Sequence, residues 1–288
     1  MVVSPWPVWT TVSPGRLSGR SRIESTIVGE TLYHRPEAPV RPRRPTRPAR
    51  RPVRRLVPDP GGSASTGTHQ PDPANTHHGL LLVHNEDLVQ PGTGFDTHPH
   101  QDMEIVTWVL QGSLVHQDSG GHSGVIYPGL AQRMSAGTGI LHSEKNDPYG
   151  STAERPADPV HFVQMWVLPD EAGVAPGYEQ LEIDGELLSG GLVTVASGMD
   201  RHKDTSAIRI RNRHAALHAA RLRPGQQVIL PEAPYLHLFV ARGPVELEGT
   251  GRLDEGDAVR FTGTGGHRVG ATGPAEILVW EMHATFEL

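Results

Sequence analysis

The sequence predicts an all-β protein made of two similar small barrels. From Thr76 onward, the chain consists of short apolar or alternating runs bounded by turn residues, and these runs recur in two halves. The chain also contains 33 Gly and 26 Pro among its 288 residues. Such a composition suits many turns between short strands and disfavours a helical bundle.

The first half contains six predicted strand segments, each bounded by Gly, Pro, Asn or Asp. They are GLLLVHNEDLV (79–89), MEIVTWVLQG (103–112), SLVHQDS (113–119), GVIYPG (124–129), AQRMSAG (131–137) and VHFVQMWVLP (160–169). The second half contains GGLVTVAS, AALHAARLRPGQQVILP, YLHLFVARGPVELEG, GDAVRFTG and AEILVWEM. The order of strands and Gly-containing turns recurs after roughly one hundred residues, which predicts a duplicated barrel.

The net charge of −6 is an average of two unlike parts of the chain. Residues 41–55 read RPRRPTRPARRPVRR, with eight Arg, four Pro and no acidic residue. Without this run, 18 basic residues remain against 32 acidic ones, a net charge of −14. The acidic body argues against broad affinity for nucleic acid or membranes. The run itself predicts a disordered or extended tail, either a partner-binding arm or a solvated segment without a specific role.

The chain contains no cysteine and 17 His. Disulfides, thiolate nucleophiles, iron–sulfur clusters and Cys-ligated zinc are therefore excluded, and any metal must bind nitrogen and oxygen ligands. No apolar stretch approaches the roughly 20 residues of a membrane span. Residues 1–15 also lack the basic and apolar regions of a secretory signal. We expect a cytoplasmic protein.

Two short motifs, His98-Pro99-His100 and His142-Ser143-Glu144, could form a metal site. In a strand, residues i and i+2 point to the same face, so each motif directs two ligand atoms the same way. If both motifs face a barrel interior, three imidazoles and one carboxylate converge. This set suits iron, manganese, nickel or copper in an open catalytic site. The alternative is that these residues are ordinary surface or core histidines.

The stretch GTGFDTHPHQDMEIVTWVLQGSLVHQDSGGHSGVIYPGLAQRMSAGTGILHSEKND (92–147) resembles the pirin family of the cupin superfamily. The resemblance is strong over residues 71–180 and weaker over the second half. It implies two tandem cupin barrels, each a double-stranded β-helix or jelly roll. The predicted domains are an atypical Arg/Pro-rich segment (1–70), a metal-binding cupin (71–185) and a degenerate C-terminal cupin (186–288). The metal ligands carried over are His98, His100, His142 and Glu144.

The resemblance also implies a function, a metal-dependent dioxygenase similar to quercetin 2,3-dioxygenase. The expected cofactor is one divalent transition metal, Fe(II) first, with Mn, Ni, Cu or Zn as alternatives. The expected substrates are a flavonol-like aromatic molecule and O2, with Glu144 as the catalytic base in a monomeric enzyme. The alternatives are a non-catalytic regulator or redox sensor that acts through protein partners, and a bicupin whose metal only supports the fold.

Several residues beside the motifs receive separate predictions. Glu104 either orients a ligand histidine by accepting its free N–H or is a buried carboxylate paired nearby. Gln132 and Met134 either line the pocket mouth or belong to the core. Three residues are expected to serve the next hairpin rather than the metal: His116, Asp118 and His122.

Two parts of the chain depart from the metal-binding pattern. The second half has no His-x-His pair matched to a later His-x-Glu, so we expect a barrel with a structural role. Immediately upstream of residue 72, the family has a segment that supplies the first strands of the first barrel. Here an Arg/Pro-rich segment takes its place, either as a real insertion or as sequence read in a shifted frame. We therefore expect the first barrel to lack an edge strand.

Overall fold

A computed structural model describes the backbone of residues 26–27 and 30–33, and residues 77–148 and 158–285 in full. Nearly all regular structure in these residues is β-strand, which confirms the predicted fold class. No helix among them has the length and apolar character needed to cross a membrane. The predicted N-terminal segment, including the Arg/Pro run, lies outside the described residues except for two short strands, β1 (Thr26–Ile27) and β2 (Glu30–Tyr33).

The first barrel consists of nine strands in two sheets. They are β3 (Leu81–Val89), β4 (Gly94–His100), β5 (Glu104–Gln111), β6 (Leu114–Asp118), β7 (Ser123–Ile126), β8 (Leu130–Ser135), β9 (Ile140–Lys145), β10 (Val160–Val167) and β11 (Gly177–Glu182). One sheet has the order β11-β8-β5-β10-β3, and the other has the order β4-β9-β6-β7. All pairings between neighbouring strands in these sheets are antiparallel.

The second barrel follows a short helix, α1 (Asp184–Leu187), and includes a 3-10 turn at Asp200–His202. Its strands are β12 (Val193–Ser197), β13 (Ile208–Arg209), β14 (Ala215–Leu222), β15 (Gln227–Ile229), β16 (Tyr235–Arg242), β17 (Val245–Leu247), β18 (Gly251–Leu253), β19 (Ala258–Thr262), β20 (Arg268–Ala271) and β21 (Ala275–Met282). Its sheets have the orders β1-β2-β19-β16-β21-β14-β12-β13 and β15-β20-β17-β18.

The two barrels repeat one topology. The order β8-β5-β10-β3 recurs as β19-β16-β21-β14, and the order β4-β9-β6-β7 recurs as β15-β20-β17-β18. This correspondence confirms the duplication that the sequence predicts. Strand β2 pairs with β19 at the place where β11 pairs with β8. The described upstream strand therefore belongs to the second barrel's sheet. The expected loss of an edge strand from the first barrel concerns a segment outside the described residues and stays a prediction.

The barrels pack through the outer faces of their larger sheets. On β5, Ile105 and Val109 face the interior of the first barrel, whereas Val106 and Trp108 face the second barrel. The Trp108 Nε1–H donates a hydrogen bond of 2.6 Å to the Glu276 carboxylate across this interface. Because both faces of β5 are buried, the strand is almost continuously apolar rather than alternating.

A pair of buried histidines, one from each barrel, lies in the same interface. The rings of His84 on β3 and His237 on β16 are 4.7 Å apart, and His84 also lies 4.6 Å from the Phe239 ring. None of the four imidazole nitrogens has a hydrogen-bond partner among the described residues. Burial lowers the pKa of His84 to about 3 and the pKa of His237 well below its usual value. Both rings are therefore neutral at ordinary pH.

Candidate metal centre

Two neighbouring strands of the first barrel bring the predicted ligands together. His98 and His100 lie on β4, and His142 pairs directly with His98 from β9. The three rings lie 4.5 to 4.8 Å apart between centroids. One ligand nitrogen from each ring lies within 4.8 Å of the other two. The cluster lies where the inward faces of β4 and β9 meet, so i,i+2 spacing on two paired strands produces a three-imidazole set.

The hydrogen bonds of His98 leave one of its nitrogens free to bind a metal. Its Nδ1–H donates to the Asp96 carbonyl oxygen at 2.7 Å, so Nε2 carries a lone pair. That Nε2 lies 3.1 Å from the Nε2 of His142. Two nitrogens bound at right angles to one ion, each about 2.1 Å from it, would lie about 3 Å apart. The observed separation fits two ligands of one metal ion.

Burial keeps the other two imidazoles neutral. It lowers the pKa of His100 to about 3 and that of His142 to about 2, with neighbouring imidazoles adding to the effect. The Nε2 of His100 and the Nδ1 of His142 are buried and have no hydrogen-bond partner among the described residues. Metal binding requires neutral imidazole, and a bound ion would satisfy the buried Nε2 of His100. The donor set therefore fits a divalent transition metal.

Glu144 is the fourth predicted ligand, two residues after His142 on β9. Its carboxylate accepts hydrogen bonds from Thr107 Oγ1 at 3.3 Å and from Gln164 Nε2 at 2.7 Å. The Gln164 amide is oriented in turn because its oxygen accepts a 3.0 Å hydrogen bond from Trp166 Nε1. This chain of donors fixes the carboxylate at the side of the imidazole cluster, and the remaining lone pairs of its oxygens can bind a metal.

Two glycines allow the ligand strands to reach these positions. A Cβ on Gly94 would lie 2.2 Å from the Glu144 carbonyl oxygen, so only glycine permits this approach of β4 to β9. Gly137, in the turn before β9, has a φ of +50°, and a Cβ there would lie 2.1 Å from the Val174 carbonyl oxygen. Larger residues at either position would displace the strand that carries His142 and Glu144.

Comparisons with known proteins identify the family. The pirin profile matches residues 66–167, and the profile of the quercetinase C-terminal cupin domain matches residues 194–282. A protein of Mycobacterium tuberculosis, named provisionally as a quercetin 2,3-dioxygenase, is 61% identical over 222 residues, which cover 77% of this chain and 87% of the relative. The chain belongs to the pirin family. Its two barrels are thus the N-terminal and C-terminal cupins of a pirin.

Escherichia coli provides further relatives of this pirin-family chain. A protein named quercetin 2,3-dioxygenase is 47% identical over 113 residues, which cover 39% of this chain and 46% of that one. The crystal structure of the bacterial pirin YhhW in complex with nickel(II) superposes with a TM-score of 0.64 at 25% identity. That superposition covers 92% of this chain and 96% of YhhW. The YhhW structure thus contains a divalent metal ion.

Glu104 does not orient a ligand histidine. Alternate residues of a strand share a face, so Glu104 lies with Val106 and Trp108 on the outward face of β5, away from the imidazoles. Its carboxylate accepts a 3.0 Å hydrogen bond from the Arg211 backbone N–H and lies 3.9 Å from Arg133 Nε. Burial raises its pKa. The alternative prediction, a buried carboxylate paired nearby, describes it correctly. Its role is to connect the two barrels.

The hairpin residues are closer to the centre than the sequence predicts. His116 on β6 is fully buried, and its ring lies 5.3 Å from that of His142. Its Nε2 lies 3.2 Å from the Asp118 carboxylate, which also accepts a hydrogen bond from the His122 backbone N–H. His122 is exposed and stacks on Tyr178 at 5.1 Å. Met134, by contrast, is buried in a small apolar cluster and is a core residue.

Four residues around the centre carry no motif and were not predicted: Thr107, Gln164, Trp166 and Tyr178. Thr107 and Gln164 are polar residues that face inward on otherwise apolar strands. Their polarity is the only feature of the sequence that could have indicated a place near the metal centre. Trp166 places its ring 4.9 Å from that of His100, nearly perpendicular to it. Tyr178 lies 5.0 Å from the ring of His116.

The second barrel uses the equivalent positions differently. Strands β15 and β20 correspond to β4 and β9, and they pair Val228 with Val269. These two residues and Ala271 are buried in the barrel's apolar cluster. The strands that correspond to the imidazole-bearing strands of the first barrel thus contribute core residues in the second, and both candidate metal groups among the described residues lie in the first barrel.

Proposed function

We propose that this chain is a metal-dependent dioxygenase that cleaves flavonols such as quercetin. The observation that carries the proposal is the convergence of three imidazoles in the first barrel, one of which, His142, also groups with the Glu144 carboxylate. Relatives named as quercetin 2,3-dioxygenases support the substrate class and the use of O2. The cytoplasmic location and the monomeric state remain predictions from the sequence.

His98, His100, His142 and Glu144 are the proposed ligands, and Fe(II) is the proposed metal. Three nitrogens and one oxygen leave coordination positions for substrate, as a catalytic site requires. The same donors accept Mn, Ni, Cu or Zn, and the nickel in YhhW supports the capacity of this family for a divalent ion. A bound ion would supply Lewis-acid chemistry, lowering the pKa of a flavonol hydroxyl that coordinates it.

Glu144 is the proposed base for the 3-hydroxyl of the flavonol. Gln164 and Thr107 hold its carboxylate beside the imidazole cluster, so the oxygen that receives the proton is already oriented. Trp166 provides an aromatic surface beside His100, against which the rings of a planar substrate can pack. These contacts would orient the hydroxyl toward Glu144.

The test measures oxygen uptake and loss of flavonol absorbance with iron-loaded protein and quercetin. We expect Glu144→Gln to lower the rate by roughly 100-fold or more, since it removes the proton acceptor. Elemental analysis of the same samples separates loss of the base from loss of metal. His214→Ala, which changes an exposed residue of the second barrel, is the control and should keep the wild-type rate.

The proposal fails if the iron-loaded wild type consumes no more oxygen than free iron, or if Glu144→Gln reacts at the wild-type rate with the same metal content. A full equivalent of bound iron without turnover would favour the alternative function, a non-catalytic metal-containing regulator or redox sensor.

A further inference from the structure

A second group of possible ligands lies directly beside the first. His116, His142 and Glu144 each offer one ligand atom within 4.8 Å of the other two. All three are buried, with exposed fractions of 0%, 1% and 2%. His98 and His100, in contrast, are partly exposed. The chain therefore contains an inner group, closed to solvent, and an outer group that is open.

The hydrogen bonds of His116 prepare it for metal binding. The Asp118 carboxylate lies 3.2 Å from Nε2 and can only accept, so the Nε2–H donates to it. The other nitrogen, Nδ1, then carries a lone pair. It is buried and has no hydrogen-bond partner among the described residues. A carboxylate that fixes the tautomer of a buried imidazole is the usual arrangement behind a metal-ligating histidine.

His142 is placed to serve both groups. It lies on β9, the strand between β4 and β6, where it pairs with His98 on one side and with Asp118 on the other. Glu144 pairs with His116 in the same register. The Nε2 of His142 faces His98, while its Nδ1 is buried and lacks a partner in the described part of the chain.

We propose that the centre has a second metal position, formed by His116, His142 and Glu144. It shares His142 and Glu144 with the outer position, so one ion occupies one position or the other. Because every inner ligand is buried, an ion there cannot meet a flavonol-sized molecule, and the inner position stores the metal away from substrate. The inference rests on the metal-binding part of the proposed function but not on oxygenase activity.

The test titrates metal-free protein with Ni2+ and measures binding by calorimetry and elemental analysis. The double variant His98→Ala/His100→Ala removes the outer position only. We expect it to retain one equivalent of Ni2+, bound more weakly than in the wild type. Adding His116→Ala should abolish this binding. Adding His122→Ala should not, because that exposed imidazole contacts the same Asp118 but lies outside the inner group.

A further variant tests the orienting carboxylate. In the background of the double variant, Asp118→Asn should weaken Ni2+ binding by roughly 10- to 100-fold, since the tautomer of His116 is no longer fixed. Circular dichroism verifies the fold of each variant, and His116→Gln replaces the alanine variant if that one does not fold.

Two results would overturn the proposal of a second metal position. One is a folded double variant that binds no Ni2+, and the other is a triple variant without His116 that binds Ni2+ as tightly as the double variant. Neither result depends on oxygen uptake. An inactive protein that gives the expected Ni2+ binding would count against the dioxygenase alone.

Discussion

The buried histidine pair between the barrels makes stability depend on pH. His84 and His237 lie ring against ring, without hydrogen-bond partners among the described residues. The positive charge of Arg260 acts on both rings, and among the described residues Glu86 is the one acidic group that acts on His84. Replacing both histidines by leucine removes four unsatisfied nitrogens from the interface.

The size of this pH effect on the unfolding free energy follows from the difference in each histidine's pKa between the folded and the unfolded protein. Each imidazole has a pKa of about 6.5 when unfolded, and burial lowers it to about 3 for His84 and well below 6.5 for His237. Below pH 6.5 the unfolded chain binds protons that the folded chain does not, so stability is lost as pH falls. At pH 5 the loss is roughly 2 kcal/mol for His84, and the lowered pKa of His237 adds a further loss of the same sign.

Urea unfolding at pH 8 and at pH 5 measures this pH-dependent part of the unfolding free energy. A chelator is present at both pH values so that metal binding does not contribute. We expect the fall in unfolding free energy between the two pH values to be smaller in His84→Leu/His237→Leu than in the wild type, by at least the roughly 2 kcal/mol that His84 contributes. His214→Leu, which replaces an exposed imidazole, should behave as the wild type. Equal pH dependence in the wild type and the double variant would refute the assignment of neutral, buried rings.

Three further predictions concern the site and the fold. Gln164→Leu should weaken metal binding roughly 10- to 100-fold, because it removes a hydrogen bond that holds the Glu144 carboxylate. Gln180→Leu, which changes an exposed residue, should leave metal binding unchanged. Calorimetry with Ni2+ compares the two variants. Glu281→Ala should lower the unfolding free energy by about 1–3 kcal/mol without changing metal content, because it leaves the buried His218 Nε2–H without its acceptor. Gly137→Ala should destabilise more than Gly173→Ala in thermal unfolding, since both have positive φ but only the first Cβ meets backbone. Equal effects within either matched pair, or an unfolding free energy unchanged by Glu281→Ala, would contradict the reasoning.

The sequence predicted the strands and the candidate ligands because both depend on local spacing. Turn residues bound each strand, and the side chains of a strand alternate, so His98 and His100 must share a face wherever their strand pairs. The structure places this strand beside the one that carries His142, in direct register. Local rules cannot provide that register, although the return of the chain after several strands made it plausible.

The sequence predictions that did not match the structure have a common physical origin. Strand β5 is buried on both faces, so its apolar pattern does not show which face is the barrel interior. The sequence therefore left open whether Glu104 belongs to the centre, and the structure shows that it faces the second barrel. His116 was assigned to a hairpin because no motif joins it to His142, and only the pairing of β6 with β9 brings them together. Tertiary register, rather than composition, decides both cases.

The duplicated topology also suggests how the two barrels divide their tasks. In the described residues, the interior of the second barrel holds one cluster of 18 buried apolar residues, whereas the interior of the first holds clusters of seven and four. Imidazoles and carboxylates lie on β6 and β9 of the first barrel, whereas the corresponding strands β17 and β20 of the second barrel contribute buried apolar residues, so less apolar area stabilises the first barrel. The large shared interface around Trp108 and Trp280 compensates, because it buries the outer face of the metal-binding barrel's sheet. The second cupin thus stabilises the first, which can then devote interior positions to ligands.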